Sequence, residues 1–272
     1  MSRYKKLTEE FENIKYSDLI QVKVIYIIMK NLFIFITLAF ISATSVMAQA
    51  ISISPLVLYE QVNAPLVIDG VSSGYRFGII GVSGKFYPNN KNNAQIDVGY
   101  AYVPSETVNF EGITFKGPVA GLYFSALGKY NLKNFEVSNL YLEQAISHRN
   151  LQANNLSGER NGKILLGTSS TIINSYDALI GLDLSNKSRN GFSLATGLSI
   201  WSFIAKGTAR NQSNTITAQK TIKTNGIDPL LKLSFQKILN NRKLNADLQF
   251  KSLYSKLNTG IVSISLKYEY LF

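Results

Sequence analysis

The sequence predicts an all-β protein: a transmembrane, antiparallel, up-and-down β-barrel of about ten strands, preceded by a signal peptide. Three observations carry that expectation. An apolar export-type segment lies near the N-terminus, apolar and polar residues alternate with period 2 along most of the remaining chain, and Asn-rich turn signals separate the alternating segments.

The export segment comes first. Lys30 precedes the apolar run 32–41, and Ser45-Val46-Met47-Ala48-Gln49-Ala50 supplies a small-x-small exit. Positive start, apolar centre and small-residue exit are the grammar of a secretory signal peptide. The run is too short to cross ~30 Å of hydrocarbon as a helix, which argues against a membrane anchor. Residues 1–28 are mixed in charge and precede Met29, a good initiator. The expected division is therefore 1–28 as a spurious extension, 29–50 as the signal peptide and 51–272 as the barrel. The alternative for 1–28 is a long charged leader.

The alternation comes second. Near the C-terminus, Ile264, Leu266, Tyr268, Tyr270 and Phe272 share one face, opposite Ser263, Ser265, Lys267 and Glu269. A lipid-facing row against a polar lumen row is the signature of a membrane barrel strand. The same pattern recurs around Val98, Leu122, Ile180, Leu194, Leu233 and Leu248. The segment 134–146 changes parity, which a β-bulge near Ser138 would reconcile. A soluble β-sandwich is the alternative.

The turns come third. Short connections are expected at 88–93, 131–134, 186–190 and 240–242, where Asn tolerates positive φ. Long polar loops are expected at 104–117, 147–170 and 208–226, with a short hairpin near Leu257–Gly260. Barrels pair short periplasmic turns with longer outer loops. Nine strands run from about Gly74 to Phe272, and Ser52–Val62 supplies a tenth. Eight or twelve strands are the alternatives. Aromatic girdles follow: Tyr87, Tyr130, Phe135, Phe192, Tyr270 and Phe272 at the periplasmic end; Tyr102, Tyr141, Tyr176, Trp201 and Tyr254 at the other.

Together, the export segment, the amphipathic hairpins and the terminal Lys267-Tyr268-Glu269-Tyr270-Leu271-Phe272 resemble the porin-family outer-membrane β-barrel proteins of Gram-negative bacteria. The resemblance implies insertion in the outer membrane. It also implies that Tyr268, Tyr270 and Phe272 act as the signal read by the barrel-assembly machinery.

Composition narrows the chemistry. There is no cysteine and one histidine, so thiol catalysis and multi-histidine metal sites are excluded. The net charge is +11, but the basic residues are scattered rather than gathered in a nucleic-acid-binding stripe. His148 is read as a solvated residue where a strand enters an outer loop; its flanks resemble neither omptin-like proteases nor lipid A deacylases, and no enzyme activity or cofactor is expected. Asp97, Asp177, Asp183, Asp247, Glu269, Lys232, Lys251 and Lys267 fall on the lumen row. They form either a paired interior network, the preferred reading, or a narrow polar conduit. Lys206, Arg210, Lys220 and Lys223 lie in a segment without acids and are candidates for binding lipopolysaccharide phosphates. The expected function is a monomeric structural or surface-interaction barrel whose loops meet lipopolysaccharide or a partner; the alternative is a small porin-like channel.

Overall fold

The computed structural model describes residues 50–63, 72–73, 75–87, 92–110, 112–185, 190–239, 242–251 and 260–270. Ten strands form a closed meander: β1 (Ala50–Asn63), β2 (Tyr75–Tyr87), β3 (Asn92–Phe110), β4 (Ile113–Asn134), β5 (Asn139–Arg160), β6 (Lys163–Ser185), β7 (Asn190–Arg210), β8 (Ile216–Leu239), β9 (Arg242–Lys251) and β10 (Gly260–Tyr270). Each pairs antiparallel with the next, and β10 returns to pair with β1, Leu266 opposite Val57. Ser72–Ser73 extends the β2–β3 ladder outward, opposite Val108 and Asn109. Closure gives both the first and the last strand two partners, the condition for a sheet in hydrocarbon.

The alternation orients every strand. On β1, Ile53, Val57 and Tyr59 face out while Ser52, Ser54 and Glu60 are buried inside. On β6, Ile180, Leu182 and Leu184 face out, and Asp177 and Leu179 face in. Leu122 is 64% exposed whereas Ser199 is 0% exposed, so the apolar belt is outside and the polar row inside. That polarity is the inverse of a water-soluble sandwich.

Strands β4 to β8 run 21 to 24 residues. A tilted membrane strand needs only about 9–11. The excess is the correction to the expected loops: 104–117, 147–170 and 208–226 are mostly ladder. In these outer halves the phase of alternation inverts. Outside the belt, Leu151, Leu156, Leu165, Phe203 and Ile222 face in, while Gln152, Thr168, Lys206 and Lys223 do not join the core. Polar-out, apolar-in is correct for a sheet wetted by water, and it reads as a polar loop when lipid-facing rows are sought.

The outer hairpins end tightly. Arg160 pairs with Lys163 across Asn161 and Gly162, both at positive φ (52° and 72°), which is a type I′ two-residue turn. Phe110 pairs with Ile113, with Gly112 at φ 73°. The β7–β8 tip is held by Asn211, whose side-chain Oδ1 accepts from Thr215 N at 2.8 Å and whose carbonyl accepts from Asn214 N at 2.9 Å.

Two further expectations are corrected. Residues 131–134 belong to β4, and the turn is 135–138, where Phe135 N donates to Ser138 O at 2.7 Å. The parity change comes from that turn. The extra residue in the ladder is Leu132, between the pairs Asn131–Tyr141 and Lys133–Leu140, rather than one near Ser138. The hairpin at 257–259, Tyr254 and Phe272 lie outside the described residues, as do the side chains of Glu269 and Tyr270.

Candidate functional site in the barrel interior and outer hairpins

The interior is layered. Midway along the barrel, the guanidinium of Arg149 on β5 makes a bidentate pair with Glu60 on β1. Its other nitrogen donates to Ser147 Oγ at 2.7 Å, and it lies 5.2 Å from the Tyr123 ring centroid. Ser147 and Ser175 hydroxyls are 2.7 Å apart. Lys251 on β9 donates to Ser175 at 3.1 Å and to Asp177 on β6 at 2.7 Å, and Ser199 donates to the other Asp177 oxygen at 2.6 Å. One bonded chain thus crosses the lumen from Ser263, which donates to Glu60, to Ser199.

Toward the end where β1 begins and β10 stops lie three more pairs. Lys267 on β10 reaches Asp97 on β3 at 3.0 Å, and Gln95 donates to both Asp97 oxygens. Lys232 on β8 meets Glu143 on β5 at 2.6 Å. Lys129 on β4 meets Asp183 on β6 at 2.7 Å and stands 3.6 Å above the Tyr141 ring. Each pair joins strands that are not neighbours in the sheet. Such charges are tolerable away from water only because they are paired and hydrogen-bonded.

Above the polar layers the outer halves close on themselves. Ile113, Phe115, Leu151, Leu156 and Phe203 belong to one buried apolar cluster, with Trp201 packed against it, and Leu56, Leu58 and Ile79 carry the same cluster down one wall to the ladder position of Lys267. The outer part of the interior is therefore mainly apolar, while the charged layers share their level with the apolar wall of Leu56, Leu58 and Ile79.

On the outside, the apolar belt stops at a polar row. His148 Nδ1 lies 2.7 Å from Asn174 Oδ1, and Asn174 donates to Ser202 at 3.2 Å. Asn225 of β8 is the ladder partner of Ser202. This row sits where the inner and outer phases of alternation meet.

The lumen residues Asp97, Asp177, Asp183, Lys232, Asp247, Lys251 and Lys267 are all placed inside; Asp247 is half-buried and accepts from Ser265 at 3.3 Å. The alternation does not single out Lys129 and Glu143, which pair with Asp183 and Lys232, or the mutual pair Glu60–Arg149. The available signal was parity: Arg149 shares its row with Ser147, and Glu60 with Ser54. His148 is mid-strand on the outer face rather than at a loop mouth. Tyr141 and Trp201 are not girdle residues. Tyr141 is buried inside against Gly181, where a Cβ would sit 2.4 Å from its ring, and Trp201 points in and donates to Asp228. Tyr130, Phe135 and Phe192 do lie exposed at the end where β1 begins, and Tyr102 toward the other. Tyr268 lies beneath Arg242, whose Nη1 donates to its hydroxyl at 2.9 Å.

The four basic candidates do not converge. Lys206 and Lys223 are exposed on adjacent strands, diagonal across the pairs Ile204–Lys223 and Lys206–Thr221. Arg210 is turned to the hairpin tip, donating to Asn214 Oδ1 at 3.0 Å. Lys220 falls on the other row, with Ile222 and Ala218.

No protein-family model and no curated protein matches this sequence. Solved structures do. The translocator domain of the autotransporter NalP from Neisseria meningitidis is 10% identical, with TM-score 0.52 over 85% of this chain and 92% of that one. The outer membrane protease OmpT from Escherichia coli is 11% identical, with TM-score 0.43 over 83% and 98%. Ail, the attachment invasion locus protein of Yersinia pestis, is 11% identical, with TM-score 0.35 over 81% and 98%. At such identities the likeness is one of fold, and the fold is a closed ten-stranded β-barrel of the outer-membrane type.

Proposed function

We propose that the chain is an outer-membrane protein whose barrel is closed to solutes and whose outer hairpins form a rigid surface-interaction platform, with lipopolysaccharide as the nearest partner. The inversion of hydrophobic phase at the His148–Asn174–Ser202 row carries this reading. Below that row the outer face suits hydrocarbon. Above it, the outer face is mainly polar, with Ile164, Leu166 and Ile216 exposed toward the hairpin tips, and the inner face is an apolar core. A conduit would want the opposite inner face.

Lys206 and Lys223 extend the argument. They lie four and two positions beyond Ser202 and Asn225, roughly 13 and 7 Å along the strands at ~3.3 Å per residue. That is the height of lipid headgroups, and exposed lysines there act as point charges on phosphates. In planar bilayers the purified barrel is expected to give no steady openings; a reproducible single-channel conductance would overturn the closed reading. The double variant Lys206→Gln/Lys223→Gln is expected to lower affinity for lipopolysaccharide vesicles by about tenfold at low salt. Equal affinity in wild type and variant would remove lipopolysaccharide from the reading.

A further inference from the structure

A cavity of about 360 Å³ occupies the end of the interior where β1 begins and β10 stops, beneath the ion pairs. It is at the small end of the roughly 300–1,000 Å³ usual for ligand pockets, room for about one or two sugar rings. Most of its charged walls are compensated within the protein: Lys129 by Asp183, Lys232 by Glu143, and Lys267 by Asp97 just above, while Lys85, also in the wall, stands 5.2 Å from the Tyr87 ring centroid. Asp247 takes the hydrogen bond from Ser265.

Neutral carboxamides are different. Asn93, Asn139 and Gln236 line the cavity from the inward rows of β3, β5 and β8, and their side chains make no hydrogen bond among the described residues. Each carries an acceptor oxygen and two N–H donors. Three unpaired amides around one space present donors and acceptors in mixture. Leu127 adds an apolar wall.

That chemistry selects among ligands. An ion finds most of the fixed charges already satisfied. A hydrocarbon would strip water from the amides without replacing it, at about 1–3 kcal/mol per group left unsatisfied. A neutral molecule bearing many hydroxyl or amide groups replaces the water bond for bond and lays a C–H face on Leu127. We infer that this cavity is a binding site for a neutral, hydroxyl-rich ligand of one or two sugar rings, offered as a free sugar or as the end of a glycan chain. The inference does not depend on what the outer hairpins bind.

The experiment is calorimetric titration of the refolded barrel, in an amine-oxide detergent without a sugar headgroup, with N,N′-diacetylchitobiose and separately with citrate. Saturable binding of the disaccharide is expected, weakened about five- to tenfold by Asn139→Leu or Gln236→Leu, with citrate weaker. Lys206→Gln on the outer face serves as the unaffected control. If the leucine variants lose the heat-modifiable gel shift of a folded barrel, the near-isosteric Asn139→Asp and Gln236→Glu replace them, with the same loss expected. Retention on chitin beads then marks the end of a polymer as a competent ligand; titration without retention marks a free sugar. No saturable binding of the disaccharide, tighter binding of citrate, or wild-type affinity in the cavity variants overturns the inference.

Discussion

Lys251 sits 5% exposed inside the barrel with its ammonium between Ser175 and Asp177. Replacing it with Met keeps the volume and removes the charge, leaving Asp177 with Ser199 alone. Breaking one side of a buried pair costs about 3–5 kcal/mol, while exchanging both sides for apolar groups is often neutral. Lys251→Met is therefore expected to lower the guanidinium midpoint of unfolding sharply, and Lys251→Met/Asp177→Leu to recover most of it. A double variant no more stable than the single one would show that the pair is not the unit of stability. Parity in the sequence was enough to put Lys251, Asp177, Asp97 and Lys267 inside. It could not choose their partners, because the pairs cross the lumen between strands that no local pattern connects. Arg149 is hidden for a plainer reason: its polar neighbours His148, Asn150 and Gln152 read as a loop from 147 onward.

At the scale of the element, the outer halves of β5 to β8 decide how the hairpins behave. They are hydrogen-bonded ladders to the tip, so proteinase added to intact cells is expected to spare 147–160 and 163–170 and to cut, if anywhere among these strands, within 211–215. Rapid cleavage inside 147–160 would mean the ladder is open there. The sequence did carry a sign of this architecture in Asn161-Gly162, a strong two-residue hairpin signal. It is obscured because the apolar residues beside it fall on both rows, Leu165 inward and Ile164 and Leu166 outward, so no single lipid-facing row stands out. Inside the membrane half, Gly197 marks a close approach: a Cβ there would lie 1.9 Å from the Ala178 carbonyl oxygen. Gly197→Ala must push β6 and β7 apart, and about 1–3 kcal/mol of overpacking is expected as a lower temperature for loss of the folded gel band. An unchanged transition would show that the ladder yields freely at this point.

For the whole molecule, two different barriers lie in series along the interior, the bonded charges around Arg149 and the apolar cluster around Phe115, Leu156 and Phe203. Trimming only the upper one, with Phe115→Ala/Leu156→Ala/Phe203→Ala, is expected to leave the barrel electrically silent in a bilayer. Adding Glu60→Ala/Arg149→Ala to the same protein is expected to produce openings. Openings from the apolar triple variant alone would show that the charged layer leaks. The strand number and the inward–outward frame of the membrane half were legible in the sequence because lipid imposes one pattern on every strand. The interior layering was not, since each layer is assembled from strands far apart in the chain.

That distance has a consequence for how the protein reaches its final state. Asp97 and its cation Lys267 are separated by 170 positions, and Lys267 belongs to the last strand. Glu60 waits for Arg149 across 89 positions. While earlier hairpins are entering the bilayer, these carboxylates have no counter-charge and need hydration. Only when β10 docks on β1 does Lys267 reach Asp97 across the lumen. Drying of the middle of the barrel is thus the closing act of biogenesis, and reversing it demands that several buried charges part and rehydrate together. The molecule is built to enter its membrane wet and, once sealed, to leave it very slowly.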